Sequence, residues 1–87
     1  MAETPSLAVA GNLRELGKFS EALSIYESAW QRNPDSIEPW DALSFIICLL
    51  RIGKCEEALD ISRKLYRNYP ESSYIKSAYS QSIYYHL

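Results

Sequence analysis

The chain is poor in the residues on which most protein chemistry depends. Its 87 residues include one histidine, one methionine and two cysteines. Cys48 and Cys55 are too few for a disulfide framework or a four-ligand zinc site. His86 has no Cys, Ser or carboxylate partner at a recognisable spacing, so it is expected to be neither ligand nor base. The sequence has no Gly-rich phosphate loop, nucleophile elbow or metal motif. No enzyme activity, catalytic residue, metal or cofactor is therefore expected. Charge of one sign is lacking too: nine Lys and Arg are dispersed among eleven Asp and Glu, for a net charge of -2. Without a basic stripe to displace counterions, no nucleic-acid partner is expected.

Long apolar runs are also missing. The longest, Phe45 to Leu50, is far too short to span a bilayer, so no membrane association is expected. Met1-Ala2-Glu3-Thr4-Pro5 has neither the basic start nor the apolar stretch of a secretory signal. Cys48 falls in an apolar run and Cys55 aligns with Phe19, so both read as packing residues. Thiols used this way suit a reducing compartment, and the expected localisation is cytoplasmic. With three glycines, four prolines and no low-complexity linker, residues 1–87 read as a single small domain, near the size at which one core gives only modest stability.

What the chain does contain is a repeat. Gly17-Lys18-Phe19-Ser20-Glu21-Ala22-Leu23 overlays Gly53-Lys54-Cys55-Glu56-Glu57-Ala58-Leu59 at an offset of 36. The match extends outward, pairing Leu7 with Leu43, Leu13 with Leu49, Ile25 with Ile61, Pro34 with Pro70 and Ser36 with Ser72. One unit of this length cannot bury its own apolar face, so neighbouring units must stack. Stacked repeats present an extended surface, which points to a binding module.

Five helices are expected and no strand. The first starts near Thr4-Pro5 and ends at Gly17, a residue suited to the left-handed turn after a helix. The second runs from about Ser20 to Arg32 with Ala22, Leu23, Tyr26, Ala29 and Trp30 on one stripe, and Asn33-Pro34-Asp35 breaks it. The third spans Pro39 to Gly53. The fourth runs from about Glu56 to Asn68, with Ala58, Leu59, Ile61, Leu65 and Tyr66 inward and Pro70 as its stop. Ser72 or Ser73 caps the fifth, whose ridge reads Ile75, Tyr79, Ile83 and Leu87.

This alternation of helix, Gly turn, helix and Pro turn resembles the tetratricopeptide repeat. The second repeat offers Trp40, Leu43, Ser44 and Ile47, then Gly53, Ala58 and Pro70. The first offers Leu7, Ala8, Gly17, Ala22, Tyr26, Ala29 and Pro34. The resemblance implies an all-α fold of antiparallel helix pairs, an α-solenoid. Repeat 1 would span about 4–34 and repeat 2 about 37–70, with a capping helix over about 72–87. The chain departs from the family pattern in its period, 36 against about 34, in Thr4 at the first repeat's Trp position, and in Ser62 at the second repeat's aromatic. Ala22-Leu23-Ser24-Ile25-Tyr26-Glu27-Ser28-Ala29 is also similar to the half-a-tetratricopeptide repeats of RNA-processing scaffolds, although those carry an aromatic where Leu43 stands.

The function implied is a non-enzymatic scaffold or adaptor that binds a peptide or helix of a partner protein. The alternatives are an assembly subunit or a fragment of a longer repeat array, with its apolar faces covered by more protein or by homo-oligomerisation, and an RNA-processing scaffold. The third helix is apolar nearly all round, which its central position explains; part of it is also a candidate groove. One register exposes Leu43, Ile47 and Leu50, the other Asp41, Phe45 and Cys48. Arg14 and Arg51 are candidate ligand contacts, and Tyr74, Tyr84 and Tyr85 a candidate secondary interface. Packing of the last helix is expected to absorb at least two of Tyr74, Tyr79, Tyr84 and Tyr85. In peptide-clamping members basic and Asn side chains hold a terminal carboxylate; the placing of Asn12 and Ser44 argues against that arrangement here.

Overall fold

The two glycine turns have the same hydrogen bonds in each repeat. In the computed structural model, which describes residues 7–86, Lys18 N–H donates to the Leu13 carbonyl at 2.8 Å and Gly17 N–H to that of Arg14 at 2.9 Å. Lys54 N–H donates to Leu49 at 2.9 Å and Gly53 N–H to Leu50 at 3.2 Å. This paired 6→1 and 5→2 bonding is a Schellman stop, and it needs a left-handed residue after the helix. Gly17 and Gly53 provide it, with φ of 80° and 97°. The lysine after each glycine then opens the next helix, its carbonyl accepting from Ala22 or Ala58.

The two stops punctuate the order α1 (Leu7–Glu15), α2 (Phe19–Arg32), a 3₁₀ turn (Pro34–Ser36), α3 (Pro39–Ile52), α4 (Cys55–Asn68) and α5 (Ser73–His86). No strand occurs among the described residues. Pro39 takes the first turn of α3, where its missing N–H is no loss. The Ser72 hydroxyl accepts from Ile75 N–H at 3.4 Å and so caps α5. The expected start near Thr4-Pro5 and the ridge residue Leu87 lie outside the described residues.

Helix α3 organises the rest. It touches every other helix: α1, α3 and α5 follow one another in a row, while α2 and α4 lie against that row without touching each other. This explains its composition, because Ala42, Phe45, Ile46, Cys48 and Leu49 are all fully buried. Phe45 stacks on Tyr26 with ring centroids 5.7 Å apart and meets Trp30 at 6.1 Å. Where repeat 1 buries Tyr26, repeat 2 buries Ser62, whose hydroxyl bonds back to the Leu59 carbonyl at 3.0 Å. Small buried side chains on both partners, Ala58 and Ser62 on α4 with Ala78 and Ser82 on α5, allow close packing of that pair.

Three expectations are corrected. The ridge of α5 is Ile75, Ala78 and Ser82, whereas Ile83 faces solvent. Helix α5 turns its small side chains inward because α3 and α4 both press on it. Tyr66 is exposed, and its ring meets Tyr79 at 5.3 Å on the surface of the α4–α5 pair. Packing of α5 also absorbs only Tyr79 among its tyrosines, and that one is half-buried.

Candidate functional site

Each helix of the α1–α3–α5 row contributes to a groove of about 380 Å³ lined by Arg14, Ile47, Leu50, Arg51, Gln81 and Tyr85. Arg14 comes from the last turn of α1 and Arg51 from that of α3. Ile47, Leu50 and Arg51 are spaced i, i+3 and i+4, so one face of α3 makes the floor. Gln81 and Tyr85, also i and i+4, bring α5 to the opposite wall. Helices α2 and α4 contribute nothing to the lining.

The register of α3 follows from its burial. Leu43, Ile47 and Leu50 are half-buried, while Asp41, Phe45 and Cys48 of the alternative register are all buried. The groove thus takes Ile47 and Leu50 but not Leu43, which packs against the edge of the core. Of the candidate tyrosines, Tyr85 lines the groove. Tyr74 and Tyr84 stand outside it, exposed, and Tyr84 meets Tyr85 edge-on at 5.4 Å. Sequence reasoning missed Gln81, a polar residue that the setting of α5 brings to the groove.

The groove is electropositive, with Ile47 and Leu50 as an apolar floor within a lining that is otherwise largely polar. Two guanidiniums border Ile47 and Leu50, and no Asp or Glu is among the lining residues. Arg51 lies 5.9 Å from the centroid of the Phe19 ring, a cation–π contact that braces it against the start of α2. Arg14 has its Nε buried without an acceptor in the chain. In the core, burial raises the Tyr26 hydroxyl and the Asp41 carboxyl above their ordinary pKa and pushes the Cys48 thiol up to about 11. A thiol so placed stays protonated and unreactive at neutral pH. Asn12 is exposed and away from the lining, and Ser44 is buried.

No group of His, Cys, Asp and Glu among the described residues is arranged to hold a metal ion. No helix among them is long and apolar enough to cross a membrane.

A family model for the tetratricopeptide repeat matches residues 13–81, a stretch that takes in both glycine turns and every groove residue except Tyr85. The repeat in general mediates protein–protein interaction and is in general non-enzymatic. No curated protein and no solved structure matches the chain. With the match running over most of its length and the Schellman bonds recurring at both turns, the chain belongs to the tetratricopeptide-repeat family.

Proposed function

We propose that the chain is a non-enzymatic scaffold or adaptor that binds a segment of a partner protein in the groove between α1, α3 and α5. Its two helix pairs, about 4–34 and 37–70, with the capping helix about 72–87, act as one domain whose role is to hold that groove open. The observation that carries this reading is the convergence of all three helices of one row on a single apolar-floored cleft. Its volume, about 380 Å³, falls within the roughly 300–1,000 Å³ typical of ligand clefts. It has room for a few side chains and the chain that carries them. Leu43 extends the apolar surface along α3 beyond the groove. Cys48 is buried and Cys55 half-buried, and thiols used as packing residues support a cytoplasmic setting.

The test is a selection of random dodecapeptides from a display library on the purified chain, followed by amide-shift mapping with an enriched peptide. The reading expects shifts at Arg14, Ile47, Leu50, Arg51, Gln81 and Tyr85. Shifts confined to the outer faces of α2 and α4 contradict it.

A second reading, an assembly subunit or part of a longer array, is favoured by the exposed surface of α5. Ile83 and Tyr74 are exposed there, and Tyr84 is 73% exposed. Sedimentation equilibrium decides it: a dimer that Tyr84→Lys turns into a monomer supports the second reading.

A further inference from the structure

The distribution of arginines sharpens what the groove accepts. Four helices carry an arginine in the last turn: Arg14, Arg32, Arg51 and Arg67. A cation there offsets the partial negative charge of the helix C-terminus, and that suffices as a reason for all four. It does not explain their placement. Arg32 and Arg67 end α2 and α4 and are exposed outside the groove, whereas Arg14 and Arg51 converge on it.

Two full charges outweigh the roughly half-charge that each of the two helix ends projects, and no lining carboxylate offsets the remainder. The groove is thus a local positive site in a chain of net charge -2. A positive site of two residues on an acidic chain draws a short-range partner rather than a polyanion.

Resting on the reading of the groove as a peptide site, we infer that its occupant is an internal segment of a partner protein that places an Asp or Glu side chain beside a large apolar one. The carboxylate meets the Arg14 and Arg51 guanidiniums, which are always charged and present planar forks of donors suited to it. The neighbouring apolar side chain settles on Ile47 and Leu50, removing from water a floor that is otherwise half-exposed. Gln81 and Tyr85, on the opposite wall, offer an amide and a hydroxyl to the main chain of a segment running through. Arg51 is braced on the Phe19 ring before the ligand arrives, so less of its side-chain entropy is lost on binding.

The experiment uses dodecapeptides enriched on the chain, resynthesised with acetylated and amidated ends, and measures binding by fluorescence anisotropy. Enrichment of an acidic residue next to a leucine, isoleucine or phenylalanine is expected. Changing that acid to its amide should weaken binding roughly tenfold or more, as loss of a charge-assisted hydrogen bond does. Arg51→Gln should weaken the acidic peptide to a similar extent while leaving its amide counterpart nearly unchanged. Arg51 is exposed, so this variant keeps the fold even if Arg14→Gln does not. The double variant Arg14→Glu and Arg51→Glu should prefer lysine-containing peptides.

Enriched peptides with no acid preference, or peptides that bind only with a free C-terminal carboxylate or only when phosphorylated, overturn the inference while leaving the groove a peptide site. If no peptide binds at all, both the inference and the reading beneath it fall.

Discussion

Alanine should move stability one way at Gly17 and Gly53 and the other way at Gly11, because the first two share a backbone state that the third does not. Gly17 and Gly53 hold φ of 80° and 97°, in the left-handed region, while Gly11 sits inside α1 without a positive φ. A Cβ added at any of the three meets nothing within 4 Å, so steric collision is removed from the comparison and backbone conformation decides. At Gly17 or Gly53 an alanine costs about 1–2 kcal/mol for the left-handed turn. Stiffening of the unfolded chain returns about 0.4–1 kcal/mol, leaving a net loss near 1 kcal/mol. At Gly11 the same substitution gains about 0.5–1 kcal/mol from helix propensity. For a domain of this size 1 kcal/mol is roughly 4–8 °C in Tm. Thermal melts followed by circular dichroism should therefore show Gly11→Ala above wild type and both Gly17→Ala and Gly53→Ala below it. Three shifts of the same sign, or a neutral Gly53→Ala, would refute the assignment of matching Schellman stops.

Ala58 is fully buried where α4 meets its neighbours, so Ala58→Leu should overpack and cost about 1–3 kcal/mol, read as a lowered urea midpoint. The buried Cys48 thiol, with its pKa pushed up to about 11, should resist iodoacetamide at neutral pH while the half-buried Cys55 is alkylated first; mass spectrometry of the folded protein checks the order. Burial, then the nearby Glu38, raises the Asp41 pKa above its ordinary 3.8. The folded state therefore holds that proton after the unfolded chain has released it, and stability falls as pH rises from about 3.8 through the raised value. Asp41→Asn should remove that fall and be the more stable form at neutral pH, as paired denaturant titrations across the acid range would show.

The repeat and its turns were legible in the sequence because they are local. Gly17-Lys18 and Gly53-Lys54 dictate their hydrogen bonds within a few residues, and the same letters give the same bonds. Helix α5 was less legible. Periodicity assigns large apolar residues such as Ile83 to the interior, but helices that pack closely bury small ones, and Ala78 and Ser82 carry little hydrophobic signal. The register of α3, which the sequence left open between exposing Leu43, Ile47 and Leu50 or Asp41, Phe45 and Cys48, is decided only by the packing that encloses Asp41. Arg14, Ile47, Leu50 and Arg51 could be picked out as candidates because a charge or an apolar residue stood where one register of α3, or the end of a helix, faces outward. Their convergence with Gln81 depends on how α5 is set against α3, which no local pattern encodes.

Ile47→Glu tests the account most directly. Ile47 is half-buried on the groove floor and borders open space there. Covering the part of Ile47 that is still exposed contributes about 0.8–1.5 kcal/mol, so its loss should weaken a groove-bound peptide roughly four- to tenfold. An added negative charge beside the guanidiniums weakens an acidic ligand further. Binding and helical content should be measured on the same samples, by anisotropy with an enriched peptide and by circular dichroism. Binding should be lost while the helical spectrum and the cooperative melt persist. If the variant unfolds, Ile47 is core and the groove is not the binding surface; if it folds and binds as wild type does, the partner docks elsewhere.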